Sequence, residues 1–165
     1  MPGRLCFFAN PESIHTQRWV QFFADRGWEV FVVTGYPPQQ SFAIRPGVKL
    51  YPIYSPPRLL KRFIALARMF PLLRRLRPDI IHVHYLSHFG LLAAIYSTIS
   101  GFGGIVLTPW GSDVLLVGRL RRLLVKYLMK KAALITCDAE HIKKASFVLR
   151  GNPNGITLIF FGTDV

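Results

Sequence analysis

Short apolar runs and amphipathic stretches alternate along the whole 165-residue chain. The runs "EVFVVT" (29–34) and "GIVLTP" (104–109) are apolar at nearly every position, which is typical of strands buried on both faces of a parallel sheet. Other stretches, such as "TQRWVQFFADRG" (16–27), carry apolar residues at helical spacing. The alternation predicts an α/β fold with a doubly wound, mostly parallel sheet and helices on both faces.

The predicted elements follow one another without repeats or low-complexity tracts, so a single domain is expected. Strands are predicted at 4–9, 29–34, 48–53, 79–84, 104–109, 133–138 and 156–161. Helices are predicted at 16–27, 56–77, 88–101, about 113–131 and 139–149. Pro71 falls inside the second helix and is expected to kink or divide it, because proline lacks the backbone N–H that a helix interior uses.

The composition is that of a folded domain with a sizeable core. Hydrophobic residues make up 51% of the chain and charged residues 18%, which argues against disorder. Cys6 and Cys137 each fall in a predicted strand, and buried free thiols are expected in preference to a disulfide or a metal site. The apolar part of the N-terminus is too short for a signal peptide, and segment 89–100 is too short to span a bilayer. A cytoplasmic protein is therefore predicted.

The net charge of +13 adds a surface property, because much of it lies in two helical segments. Residues 56–77 contain seven arginines and lysines and residues 119–131 contain six, with no acidic residue in either. Basic amphipathic helices of this kind bind anionic membrane surfaces. Membrane contacts are predicted for Arg58, Lys61, Arg62, Arg68, Arg74, Arg75, Arg119, Arg121, Arg122 and Lys126. Solvated helix faces are the alternative; nucleic-acid binding is disfavoured because the segments lack interleaved stacking aromatics.

The loop after the first predicted strand is a candidate phosphate site. It carries neither the G-x-G-x-x-G fingerprint nor a P-loop, which argues against NAD and ATP. Ser13, His15 and Thr16 stand just before a predicted helix, whose free N–H groups and dipole could hold a diphosphate. The alternative is a simple N-cap formed by Ser13 or Thr16.

A second candidate loop lies in "IVLTPWGSDVLL", where a predicted strand stops abruptly. Pro109 removes a backbone donor, Gly111 frees φ, and Ser112 and Asp113 are good helix-capping residues. Asp113 either caps the helix or hydrogen-bonds a polar ligand, and the two roles are compatible. Polar loops at the carboxyl ends of buried strands are where α/β proteins bind ligands.

The segment "IIHVHYLSH" contributes three histidines near the end of another predicted strand. Alternation places His82 and His84 on the same face, and His88 opens the next helix. Satisfied core or loop histidines are expected, with a substrate contact as the alternative. No Cys/His metal spacing, catalytic triad or carboxylate pair is recognisable, so the residues alone indicate a nucleotide- or sugar-binding domain of undetermined reaction.

Five segments, in order, resemble one family: "SIHTQRWVQFFADRGWEVFVVT", "RPDIIHVHYLSHFGLLAA", "LTPWGSDVL", "KKAALITCDAEHIKKA" and "FGTDV". Together they resemble the N-terminal domain of family 4 glycosyltransferases, which are retaining enzymes of GT-B architecture. The resemblance implies a Rossmann-like domain that binds mainly the acceptor. A C-terminal domain would bind most of the nucleotide-sugar and carry two glutamates eight positions apart. "FGTDV" resembles the crossover between the two domains, so the chain is expected to be the inactive N-terminal part of a longer enzyme.

The resemblance also implies where the cleft residues lie. Ser13, His15 and Thr16 would lie beside the donor phosphates, and residues 110–113, with His84, would line the cleft. Two departures stand out: Trp110 occupies a position where many relatives carry histidine, and the first loop lacks the common glycine-rich form.

The family's usual chemistry sets the remaining expectations. No metal or other cofactor is expected, and the acceptor would be a glycan or lipid-linked molecule at an anionic membrane surface. The alternative is a free-standing membrane-docking or partner-binding α/β module without its own catalysis.

Overall fold

The computed structural model describes residues 2–35, 47–53, 61–86 and 88–160, without the side chains of 61–63, 88 and 120. Seven strands lie within these residues: β1 (Arg4–Phe8), β2 (Glu29–Thr34), β3 (Lys49–Pro52), β4 (Ile80–His84), β5 (Ile105–Thr108), β6 (Leu134–Cys137) and β7 (Ile156–Leu158). The helices there are α1 (Ile14–Ala24), α2 (Lys61–Leu76), α3 (His88–Ser100), α4 (Gly111–Val114), α5 (Arg119–Lys131) and α6 (Glu140–Arg150).

The strands form one parallel sheet in the order β3-β2-β1-β4-β5-β6-β7. The order reverses after β1, which is the pattern of a doubly wound, Rossmann-like sheet. The α/β prediction is therefore confirmed. The carboxyl ends of β1, β2 and β3 lie at one edge because Phe8 pairs with Val33 and Val33 pairs with Tyr51. Leu107 likewise pairs with Ile135 where β5 and β6 run together.

The chain divides into two compact units, Met1–His82 and Val83–Val165, with the boundary inside β4. In the first unit, alternate residues of β1 and β2 pack against α1. That core contains Leu5, Phe7, Ala9, Val20, Val30, Val32 and Val48, with Trp19, Phe23 and Trp28 packed against it. In the second unit, the buried apolar residues include Ile105, Leu107, Val125, Leu128, Met129 and Ile135.

Two helix predictions need correction. Helix α1 begins at Ile14, two residues early, because a turn over 10–13 already places the Ser13 carbonyl to accept the Gln17 N–H at 3.0 Å. The single helix predicted over about 113–131 is divided into α4 and α5. The break ends at Gly118, the N-cap residue of α5, and glycine disfavours a helix interior.

The structure also bears on the prediction for the helix that contains Pro71. Helix α2 is continuous, with Pro71 inside it; residues 56–60 of the predicted helix lie outside the described residues.

Cys6 and Cys137 are free and buried, as predicted, and burial raises the pKa of both thiols. Among the described helices, none has both the length and the apolarity needed to cross a bilayer.

Two leucines of α5 test how this helix is oriented. Leu128 is 2% exposed and packs over Gly90 of α3, where a β-carbon would lie 3.0 Å from Leu128 Cδ1, whereas Leu123 is 68% exposed. Leu128→Ala should lower the free energy of unfolding by about 2–5 kcal/mol, since it removes buried contacts and leaves a cavity. Leu123→Ala should change it by about 0.5 kcal/mol or less. Urea unfolding measures both, and equal losses would contradict this orientation.

Candidate functional site

In the first unit, the predicted phosphate-binding residues lie at the start of α1. Ser13 is the N-cap residue, yet its side chain makes no capping hydrogen bond. His15 is half-buried in the first turn, and Thr16 is fully buried. The first turn contains no acidic side chain. Because the first N–H groups of a helix have no partner within the helix, this end is chemically suited to an anion.

The same turn bears on the alternative that Ser13 or Thr16 is a simple N-cap. The N-cap position belongs to Ser13, as one alternative had it, whereas Thr16 lies inside the helix. The turn before it is held by Asn10, whose Oδ1 accepts the Glu12 N–H at 3.1 Å and whose backbone carbonyl accepts the Ser13 N–H at 3.2 Å. The Ser13 hydroxyl is therefore left out of the cap.

In the second unit, the buried strand β5 leads directly into the loop that the sequence singled out. Thr108 ends the strand, with its Oγ1 2.6 Å from the Thr136 Oγ1 of β6. Trp110 then takes the N-cap position of α4 in an extended conformation. The Asp113 carboxylate accepts the Trp110 N–H at 3.2 Å, so it caps the helix from its third position. The predicted capping role of Asp113 thus has a geometric basis.

Asp113 is a buried carboxyl group of this unit, with 2% of its surface exposed. Burial raises its pKa above the usual aspartate range, because the charged form loses its hydration. The N–H groups of Trp110 and Leu86 and the Arg121 guanidinium oppose that rise. The Arg121 Nη2 lies 3.6 Å from Asp113 Oδ1.

An aromatic cluster forms beside this cap. The centre of the Trp110 ring lies 6.4 Å from the centre of the His84 ring, and the two rings meet edge to face. The centre of the Tyr85 ring lies 5.8 Å from that of Trp110. His84 is buried, whereas 37% of Tyr85 is exposed. Tyr85 has φ +68°, a left-handed conformation that is uncommon outside glycine and recurs at functional sites. The indole of Trp110 therefore packs beside the histidine at the end of the neighbouring strand β4.

The other site residues fall into less specific settings. His82 is buried against Phe7 and Trp19, which fits the core alternative, and the side chain of His88 lies outside the described residues. Ser112 is exposed on α4. Gly111 does not adopt a positive φ, so the expectation that it frees φ is wrong. It lies in the first turn of α4, where a β-carbon would meet Leu115 Cδ1 at an ordinary 3.6 Å.

The basic side chains predicted for a membrane surface are mostly exposed where they are described. Those on α2 and α5 are Arg68, Arg74, Arg75, Arg119, Arg121 and Arg122, while Lys126 is half-buried. Arg58 and the side chains of Lys61 and Arg62 lie outside the described residues. Leu116, just before α5, is 80% exposed, and Leu123, on α5, is 68% exposed. Exposed apolar side chains therefore accompany the basic residues of α5.

Two contributions to the second unit's site were missed by sequence reasoning. Arg121 was assigned to a membrane face only, although it also approaches Asp113; its spacing of eight residues across a helix break gives no signal of this contact. Tyr85 was not singled out, because a positive φ at a tyrosine comes from the local fold and leaves no mark in the sequence.

Comparisons with known proteins show which family and which solved structures the chain resembles. A profile described as glycosyl transferase 4-like matches residues 4–139. None of the curated proteins matches the chain.

Among solved structures, HepE of Anabaena in complex with UDP-glucose has a TM-score of 0.74 and 15% identity, covering 98% of this chain and 44% of HepE. The lipopolysaccharide outer core galactosyltransferase WaaB has a TM-score of 0.72 and 13% identity, covering 97% and 46%. UDP-N-acetylglucosamine 2-epimerase from Rickettsia bellii has a TM-score of 0.71 and 13% identity, covering 94% and 43%. At identities this low, the structural likeness shows a shared fold and nothing more. The chain spans less than half of each of the three proteins.

Asp113 gives a pH-dependent prediction. The pKa of Asp113 is raised in the folded state, so folding favours its protonated form. The stability that comes from this preference is present below the pKa of the unfolded chain, about 3.9. It is lost as pH rises from there through the raised pKa of the folded state. The free energy of unfolding of the wild type minus that of Asp113→Asn should therefore decrease over this interval. Urea unfolding at a series of pH values measures the difference.

Glu29 supplies a control of opposite sign. Its hydrogen bond with Lys49, 3.1 Å away, and the nearby Arg4 hold its pKa below the usual range. The stability it contributes is present above the unfolded pKa and is lost as pH falls through the lowered one. The difference between the wild type and Glu29→Gln should thus increase with pH. Slopes of the same sign for both variants would contradict the assignment for Asp113.

Proposed function

The chain belongs to the glycosyl transferase 4-like family, and on this premise we propose that it is the acceptor-side domain of a retaining glycosyltransferase. The enzyme would transfer a sugar from a nucleotide-sugar to a glycan or lipid-linked acceptor. The family match over residues 4–139 carries the proposal. The UDP-glucose bound to HepE, a protein of the same fold, supports a nucleoside diphosphate sugar as the donor.

Each unit carries its own set of proposed binding residues. At the start of α1, backbone N–H groups and the half-buried His15 would bind the donor diphosphate, helped by the absence of acids from that turn. In the second unit, Trp110 and Ser112 would face the sugar or acceptor, with Asp113 holding the loop through the Trp110 N–H. His84 is buried against Trp110, so it would orient the indole. No step of this scheme uses a metal ion.

The remainder of the enzyme is part of the proposal. The chain spans less than half of HepE and WaaB, which supports a second domain that binds most of the donor. The domain alone would then be inactive. Sequencing the reading frame beyond Val165 tests this: a second α/β domain with two glutamates eight positions apart supports the transferase, and an immediate stop codon supports a free-standing binding module instead.

We place the enzyme on the cytoplasmic face of an anionic membrane. The exposed arginines of α2 and α5 supply attraction, and Leu116 and Leu123 add exposed apolar surface in the second unit. The free thiols of Cys6 and Cys137 suit a reducing compartment. Nucleic acid is not proposed as a partner.

His15→Ala tests the diphosphate site in the full-length enzyme. Loss of a hydrogen bond to a charged phosphate should lower kcat/KM by about 10- to 100-fold. The free energy of unfolding should change by about 1 kcal/mol or less, because the side chain is half-buried. Gln21→Ala, an exposed position on the same helix, is the control and should leave both quantities unchanged. Full activity in His15→Ala would remove this loop from the site.

Vesicle binding tests the membrane location. The protein should co-sediment with vesicles that contain anionic lipid at low salt. Most of it should be released at high salt, because salt screens the attraction between surface charges. Neutral phosphatidylcholine vesicles should bind far less. Equal binding to both would rule out the electrostatic mechanism.

A further inference from the structure

A groove of about 390 Å³ lies in the first unit, and its described lining includes no residue of α1. One wall is the end of the edge strand β3, with Tyr51 and the buried Ile53 that follows it. The other wall is one face of α2, with Arg68, Pro71, Leu72 and Arg75. These four residues have the spacing i, i+3, i+4 and i+7, which places them side by side on a helix.

The lining combines an apolar surface with two guanidinium groups. Leu72, Pro71 and the Tyr51 ring supply the apolar part, and Arg75 Cζ lies 5.9 Å from the centre of the Tyr51 ring. No carboxylate occurs among the groove's described lining residues. The sequence itself contains no acid between Glu29 and Asp79. A ligand that fits this lining is an anion attached to an apolar group, and planar guanidiniums recognise phosphate in particular.

The exposure of the groove's described walls bears on whether the ligand is a soluble molecule or a lipid in a membrane. Arg68, Pro71 and Arg75 are exposed, and Leu72 is half-buried. Sites for soluble small molecules enclose most of their ligand, whereas the described lining of this groove consists of one helix face and a strand end. A lipid is already held by its bilayer and needs only its headgroup to be recognised. The exposed Arg74, on the same helix but outside the groove, adds to the positive field that draws α2 towards such a surface.

We propose that this Arg68–Arg75 groove binds the terminal phosphate of an anionic lipid, with the adjoining carbons of the lipid against Leu72 and Pro71. The proposal rests on the membrane location proposed above, and it adds selectivity for a phosphate headgroup to attraction by charge. It is independent of the sugar-transfer reaction.

Vesicles that differ only in headgroup test the proposal. Phosphatidic acid carries a terminal phosphate and phosphatidylserine does not, and the two vesicle types are matched in zeta potential. The wild-type protein should partition about tenfold more strongly onto the phosphatidic acid vesicles. Arg68→Gln and Arg75→Gln should each reduce that ratio to about one. Arg75→Lys, which keeps the charge and loses the planar fork, should also reduce it.

Arg74→Gln is the matched control, since it removes the same charge from the same helix outside the groove. It should weaken binding to both vesicle types by about fivefold and leave the ratio unchanged. Because all three arginines are exposed, each variant should keep the wild-type urea midpoint.

The remaining outcomes overturn the proposal in distinguishable ways. A ratio of one for the wild-type protein, or equal effects of Arg74→Gln and Arg75→Gln on the ratio, means attraction by charge alone and leaves the membrane location intact. Strong competition by soluble glycerol 3-phosphate at constant ionic strength means a soluble ligand. Binding to neither vesicle type removes the groove and the membrane location together.

Discussion

Parallel strand pairing is the constraint on which the rest of this structure depends. A parallel neighbour can be reached only by a crossover, as α1 shows between the paired strands β1 and β2. The carboxyl ends of paired strands consequently lie at one edge, as the registers of β1 with β2 and of β5 with β6 require. In each unit, the loops leaving that edge are then available for polar side chains, while the strands remain apolar and buried.

The loop after β5 shows how such an edge is made rigid. A buried carboxylate at Asp113 would be more costly without partners: two backbone N–H groups and the Arg121 guanidinium offset part of its desolvation, and its pKa remains raised. The same carboxylate fixes the backbone of Trp110, whose indole packs beside His84 and Tyr85. The loop that carries Trp110, the residue we propose to face a ligand, is thereby positioned by groups that need not touch that ligand.

Charge on this protein serves more than one purpose. Arg121 approaches the buried Asp113, whereas Arg74 and Arg122 are exposed on their helices. Arg75 lines the groove beside the Tyr51 ring. Cations that look equivalent in the sequence thus differ in surroundings, since each point on a helix faces a different neighbour. A uniform basic surface and a selective headgroup site can coexist on one helix for this reason.

The sequence by itself determined the α/β class, the places of β1 to β7 and the capping character of Asp113, because burial on both faces and local cap chemistry leave their marks in neighbouring residues. It could not place the left-handed Tyr85 or the contact of Arg121 with Asp113. Those features depend on which distant side chains meet after the strands have paired. Tertiary structure also decided that Leu123 faces outward while Leu128 is buried, since both lie on a helix rich in leucine and only packing against α3 and α6 distinguishes its faces.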